Sequence, residues 1–319
     1  MRRKVGIIGL GMIGERILAD FMAHPEFEVS ACWDLSPEVS QQIERSYPGA
    51  PLVADATAVM QHKDIDLVYI ATPPVTHIEY GLQVVELNKA LLMDKPLSIS
   101  LEDSRKLVEA AESKGIANAM NFAYGAGPLV DALEKALQAN EIGALQSMEV
   151  RYQFPSWPLP NQLSAASWIT NRNTCGMVRE MFSHYVYLTH RLLGNLEVIS
   201  VVLSYPDDED AAEDFILASL KCGDMPLWLM GGLGSPHTPR TSDWTINGSK
   251  GSLRIGEGYQ LLQAQGDGWG EYQVDNSRTA VEVRLDQLAD MLDGKPHKLP
   301  SLRDGLEVQE VIEDLLNFG

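Results

Sequence analysis

The chain reads as an α/β protein. An N-terminal, doubly wound parallel sheet of Rossmann type precedes an α+β domain with an open, mainly antiparallel sheet. Three observations predict this. The glycine-rich turn Gly9-Leu10-Gly11-Met12-Ile13-Gly14 follows a short apolar run and opens an amphipathic stretch. Strand-like and helix-like segments then alternate as far as residue 121, the pattern of a parallel sheet with crossover helices. Beyond residue 122 the strand candidates come in succession, separated by Gly, Asp and Pro, as in hairpins and meanders. The expected domains are 1–121 and 122–319, with the C-terminal helix able to pack back on the first.

Residues 4–8 and 29–33 are apolar runs on either side of the glycine turn and its helix, and they read as strands. Residues 38–45 are helical after the turn at Ser36-Pro37, and 52–53 form a short strand. The run 67–71 (LVYIA) is apolar throughout, as a strand buried on both faces should be. A helix over 76–88, a strand at 91–93, a helix over 101–113 and a strand at 116–120 complete the first domain. In the second, 129–138 is helical and 144–154 alternates apolar with polar, as in a half-exposed strand. Residues 176–193 are helical. Strands are expected at 198–204, 215–220, 227–230, 252–255 and 271–274, and helices at 281–292 and 305–318. The run Asp207-Asp208-Glu209-Asp210 reads as a solvated hairpin turn.

Composition narrows the function. At 319 residues the chain can bury two sizeable cores. Its 25 Lys+Arg against 44 Asp+Glu leave a formal net charge of -19, so there is no basic field to attract nucleic acid or an anionic membrane. Three scattered cysteines, Cys32, Cys175 and Cys222, have no metal-ligand spacing, and no metal is expected. They suit a reducing compartment. The opening Met1-Arg2-Arg3-Lys4 and the apolar residues after it superficially resemble a signal peptide. Glu15 and Asp20 end that run, and no small-residue cleavage site follows. A cytoplasmic protein is expected.

Each glycine of the turn has a physical reason. Gly9 permits the tight strand-to-helix turn, Gly11 lets a pyrophosphate approach the backbone, and Gly14 lets the helix pack on the strand. The amides of Met12 and Ile13 open the helix, where its dipole favours phosphate. Asp34 lies twenty residues past Gly14, where a carboxylate accepts hydrogen bonds from an adenosine ribose and repels a 2′-phosphate. The pattern is that of an NAD site, with NADP the poorer fit. Ala71-Thr72-Pro73-Pro74-Val75-Thr76-His77 follows the buried strand. It reads either as a rigid turn with Thr76 as helix cap, or as a loop placing Thr72, Pro73 and His77 beside the nicotinamide half of the cofactor. Met93-Asp94-Lys95-Pro96 follows the next strand. Lys95 is either a solvated lysine or a group that polarises or protonates a substrate oxygen. Pro96 holds Lys95 in extended backbone. Within Arg179-Glu180-Met181-Phe182-Ser183-His184, Glu180 and His184 share a helix face at i,i+4. They form either a surface pair or a proton-handling pair.

These motifs, in this order, resemble the GFO/IDH/MocA oxidoreductase family. The resemblance spans nearly the whole chain through Gly9–Gly14, Thr72-Pro73 with His77, Asp94-Lys95-Pro96, Cys175-Gly176 with Glu180 and His184, and Asn247-Gly248-Ser249-Lys250-Gly251-Ser252-Leu253. It implies a Rossmann domain and an open-sheet domain. It also implies Lys95 and His184 as the catalytic pair assisted by Glu180, with Asp94 and Lys95 beside the cofactor. The activity implied is hydride transfer between nicotinamide and a sugar, polyol or related hydroxy compound. Several positions depart from the family pattern. Asp94 replaces Glu, Glu180 replaces Asp, Tyr187 replaces an Asp, and Cys175 and Met177 interrupt a glycine run. Arg179 either meets a substrate carboxylate or pairs with an acidic neighbour. Reduction of an imine and non-catalytic dinucleotide sensing are the alternative functions on the same fold. The apolar alternation of 198–203 and 215–220 suits a sheet face covered in a homodimer or homotetramer.

Overall fold

The computed structural model describes residues 2–318. The chain divides into two compact units, Met1–Gly125 with Val281–Glu307, and Ala126–Ala280 with Val308–Gly319. The sequence boundary at 121/122 left 281–307 with the second domain, whereas in the structure that segment clusters with the first unit.

The first unit runs β1 (Arg3–Ile8), α1 (Met12–Ala23), β2 (Phe27–Trp33), α2 (Pro37–Ser46), α3 (Ala56–Met60), β3 (Leu67–Ile70), α4 (His77–Glu86), β4 (Ala90–Asp94), α5 (Leu101–Ser113) and β5 (Asn118–Asn121). The strands form a parallel sheet in the order β2-β1-β3-β4-β5. The short strand expected at 52–53 is present only as a parallel bridge between Leu52 and Cys32. It lies outside β2 and completes the doubly wound order in which the connections reverse direction at β1 and β3. Val5, Ile7 and Ile8 of β1 and all of β3 are buried. That explains their unbroken apolar sequence, because crossover helices cover both faces. Ser36 caps α2 by accepting from the Val39 amide, and Ser100 caps α5 by accepting from Asp103.

The second unit runs α6 (Pro128–Gln138), β6 (Leu145–Phe154), α7 (Ala166–Ile169), α8 (Ser183–Leu193), β7 (Glu197–Ser204), β8 (Phe215–Cys222), β9 (Met225–Leu233), β10 (Thr241–Gly248), β11 (Ser252–Gly256), β12 (Gln260–Gln265) and β13 (Gly268–Glu271). Its eight strands lie in the order β13-β12-β11-β10-β6-β9-β8-β7. Every pairing is antiparallel except β6 with β9. Met148, Val150, Tyr152 and Phe154 of β6 alternate into the core with Trp244 and Ile246 of β10. Helix α8 is tied to this inner face by the Trp244 indole N–H, which donates to Thr189 Oγ1 at 3.0 Å. The Tyr185 ring stacks on Tyr152 at 5.1 Å. The chain ends with α9 (Ala280–Leu292) and α10 (Leu302–Leu316). Among the described residues no helix is long and apolar enough to cross a membrane.

Candidate functional site

In the first unit the expected cofactor residues line up along the carboxyl edge of the parallel sheet. Asp34 follows β2, Gly9 follows β1, Thr72 and Pro73 follow β3, Asp94 ends β4 and Lys95 follows it. Gly9 has φ +95, and a β-carbon there would stand 2.7 Å from the Ala71 carbonyl carbon and oxygen. A β-carbon on Gly14 would strike the Gly9 carbonyl. Over Gly11 a β-carbon would meet nothing within 4 Å. The turn is therefore closed against its own sheet and open above Gly11, at the start of α1. Met12 is exposed there and Ile13 half-exposed. This shape fits a pyrophosphate.

Asp34 is held by the turn itself. Its Oδ2 accepts from the Leu10 amide at 2.7 Å and its Oδ1 from the Ser36 amide at 2.8 Å. Each carboxylate oxygen has a second lone pair for a ribose hydroxyl. The neighbouring Ser36 hydroxyl donates to Glu38 at 2.8 Å, which places a second negative group near the first.

Of the two readings of this segment, the structure shows His77 as a buried side chain hydrogen-bonded to the loop backbone. It is 0% exposed, with Nε2 2.7 Å from the Thr72 carbonyl and Nδ1 3.0 Å from that of Pro96. Burial lowers its imidazole pKa, opposed by the carbonyls of Thr72, Pro96 and Leu97, and its two ring nitrogens face the loop after β3 and the loop after β4. Thr76 is not a helix cap. A 3₁₀ turn over Pro74–Thr76 already leads into α4, so Thr76 has helical backbone and makes no capping bond. Its hydroxyl lies 2.9 Å from the Pro73 carbonyl and 2.8 Å from Thr72 Oγ1.

The Lys95-Pro96 peptide is cis. Asp94 Oδ1 accepts from the Lys95 amide at 2.9 Å. Burial pushes the Asp94 carboxyl above the usual range, opposed most strongly by the Lys95 charge.

In the second unit Glu180 and His184 sit at the start of the α8 segment. The segment opens with a π-helical turn over Val178–Phe182 rather than the regular helix expected from 176. Such turns recur at functional sites. Three contacts fix it. Buried Glu213 accepts from the Val178 amide. Gln162, which is also buried, donates to Glu180 Oε1 at 3.1 Å. Arg179 makes a two-pronged ion pair with Glu313 of α10, at 2.7 and 2.8 Å, and donates to the Arg172 and Cys175 carbonyls. Of the two readings of Arg179, pairing with an acidic neighbour is the one found. Tyr187 is buried, and its hydroxyl accepts from Arg191 at 3.2 Å.

Sequence reading missed Gln162, Glu213 and Glu313, and in the first unit Tyr69, Asn121 and Arg284. Tyr69 alone left a sign, a hydroxyl inside an otherwise apolar strand. The others are brought in by long-range folding.

Comparison with known proteins agrees with the geometry. Residues 3–122 match the family described as "Oxidoreductase family, NAD-binding Rossmann fold", and residues 130–254 match the GFO/IDH/MocA C-terminal domain. A levoglucosan dehydrogenase of Pseudarthrobacter phenanthrenivorans is 26% identical over 63% of this chain and 53% of its own, so the match spans about half of that relative. A scyllo-inositol 2-dehydrogenase (NADP(+)) of Bacillus subtilis is 21% identical over 84% of this chain and 76% of its own. The dehydrogenase from Bordetella pertussis solved with NADH and UDP-GlcNAcA has a TM-score of 0.81 at 19% identity, covering 99% of this chain and 96% of that one. The chain belongs to the GFO/IDH/MocA oxidoreductase family.

Proposed function

We propose that this member of the GFO/IDH/MocA family is an NAD-dependent dehydrogenase or reductase of a small polar hydroxy compound, a sugar or polyol in the first instance. The observation that carries the reading is the turn open above Gly11, beside an Asp34 carboxylate held by the Leu10 and Ser36 amides. Gly11, Met12 and Ile13 would hold the pyrophosphate, and Asp34 the adenosine ribose. Asp94 and Lys95, with Thr72 and Pro73, would border the nicotinamide. A bound nicotinamide supplies the hydride donor or acceptor.

The chain's own residues handle the proton. Lys95 presents an ammonium to the substrate oxygen that becomes or ceases to be a carbonyl. His184 exchanges the hydroxyl proton. Glu180, steadied by Gln162, orients and charges the imidazole. The levoglucosan and scyllo-inositol activities named for the relatives support an alcohol carbon as the reacting centre.

The test is cofactor turnover with a panel of sugars, polyols and hydroxy acids. Lys95→Met and His184→Phe should each lower turnover by roughly 10²-fold or more, with NADH affinity little changed. Glu180→Gln should lower it less. Wild-type turnover in either single variant overturns the assignment. NADH binding without turnover of any compound in the panel favours the sensing function.

A further inference from the structure

Beneath the loop that carries Lys95 lies a row of polar groups inside the first unit. Arg284 of α9 donates from Nη1 to Asn121 Oδ1 at 2.8 Å. Asn121, at the end of β5, donates from Nδ2 to the Tyr69 hydroxyl at 3.2 Å. Tyr69, in β3, is 0% exposed, and Asp94 is the register partner of Asn121 across β4 and β5, which brings phenol, amide and carboxylate together; the phenol favours the ionised form of Asp94. Asp94 in turn accepts from the Lys95 amide. The donors run one way, from guanidinium to amide to phenol, which leaves the phenol O–H to be given toward the carboxylate, so each group polarises the next. A buried phenol, amide and guanidinium are costly unless hydrogen-bonded; each makes a bond in this row, and only the Arg284 Nε is left without a partner. They come from three separate elements, α9, β5 and β3, and meet at one carboxylate on β4.

We propose that Tyr69, Asn121 and Arg284 are positioning residues that hold the Asp94 carboxylate in place beside Lys95. The proposal rests on the reading of Lys95 as the proton-handling lysine. It explains why a shorter Asp suffices at position 94. The Tyr69 hydroxyl reaches it from below, while its own backbone neighbour fixes the other side. It also gives α9 a part in the site, although α9 begins 185 residues after Lys95. Arg16 of α1 contributes to the same field, since its charge acts on Asp94, Tyr69 and Arg284. Loss of the Tyr69 hydroxyl leaves Asp94 free to turn, and Lys95 loses its fixed counter-charge.

The reactivity of the Lys95 amine tests this without a known substrate. The full chain is labelled with trace acetic anhydride at mildly alkaline pH, and acetylation of Lys95 is read by mass spectrometry against Lys106. Lys106 is an exposed lysine paired with Glu102 and Asp103 on α5. Tyr69→Phe and Arg284→Gln should each raise the Lys95/Lys106 ratio by about threefold or more. In an Asp94→Asn background both effects should vanish, because the row acts only through that carboxylate. A structural role alone would lower thermal stability without this dependence. If Tyr69→Phe does not fold, Arg284→Gln, which keeps a hydrogen-bonding side chain at a partly buried position of α9, carries the comparison alone. An unchanged ratio in a folded variant, or an equal rise in the Asp94→Asn background, overturns the proposal. Neither result depends on turnover, so failure here is distinct from failure of Lys95→Met to lower activity.

Discussion

At the turn between β1 and α1, two glycines three positions apart answer to different neighbours. A side chain on Gly14 meets the Gly9 carbonyl, so the protein itself forbids it. A side chain on Gly11 meets nothing within 4 Å, so only a ligand forbids it. Gly14→Val should therefore lower stability by about 1–3 kcal/mol through overpacking. Gly11→Val should leave the melting temperature near wild type and abolish NADH binding. Fluorescence titration with thermal melts separates the two, and unchanged NADH affinity in Gly11→Val would move the cleft elsewhere. Asp34 sets the second expectation. Its charge, with Glu38 nearby, should make NADH bind more tightly than NADPH. Asp34→Asn should narrow that gap by about tenfold, the worth of one hydrogen bond to a charged group. Tighter NADPH binding by the wild type would refute it. Gly9, Gly11, Gly14 and Asp34 were legible because their relation is local, a turn and one crossover. His77 was not, because nothing in Thr-Pro-Pro-Val-Thr-His says that its ring turns inward onto the Pro96 carbonyl.

The π-helical turn ahead of α8 is held by buried charge, and that makes it sensitive to mutation and to pH. Arg179 and Glu313 are nearly buried, with side chains 11% and 10% exposed. Glu313→Ala should destabilise by about 3–5 kcal/mol, because it strands a buried guanidinium. Chemical denaturation reads this directly, and a loss under 1 kcal/mol would mean that the pair is solvated. Glu213 behaves differently. Burial raises its carboxyl above the ordinary glutamate range, so the folded state binds the proton more tightly than the unfolded chain. Its contribution is fully present below about pH 4.5 and is lost as pH rises through the raised folded value. The difference in stability between wild type and Glu213→Gln should therefore change with pH in that window and be flat above it. A difference flat across the whole range would place Glu213 in water. At this scale the sequence was legible where periodicity was strong. β6 alternates cleanly from Met148, and β8 (FILASLKC) is marked by its apolar, β-branched opening. β10 (TSDWTING) does neither, since only Trp244 and Ile246 are apolar and its other face carries Asp243 and Thr245. β12 was missed for the same reason, because Gln260, Gln263 and Gln265 mask the pattern. Arg284 meets Asn121 across 163 positions, a separation at which no local pattern operates.

Across the whole molecule, the face of the eight-stranded sheet opposite α8 bears on assembly. Val202 of β7 pairs with Leu217 of β8, which pairs with Met230 of β9, and Trp228 lies beside Ser219 and Glu149. Val202, Leu217 and Trp228 are 59%, 44% and 43% exposed. Adjacent apolar side chains on three strands form a contiguous patch, which a monomer keeps in water only at a cost. The same face carries Glu149, Arg151, Asp243 and Arg254 toward β10 and β11. Arg254 donates to Glu149 at 3.4 Å and stacks over the Trp269 ring at 4.1 Å. An apolar centre bordered by charges of both signs is self-complementary under a two-fold axis, since each Arg can meet a Glu or Asp of a second copy. At a net charge of -19, long-range repulsion opposes association of two copies, and salt screens it. The chain should therefore form a homodimer, or a homotetramer built from it, whose stability rises with ionic strength. Val202→Lys with Leu217→Lys should yield a folded monomer by light scattering, because both side chains point to solvent in the isolated chain. A wild type that stays monomeric at tens of micromolar in moderate salt would show that the patch is tolerated in water and that assembly uses no part of this face.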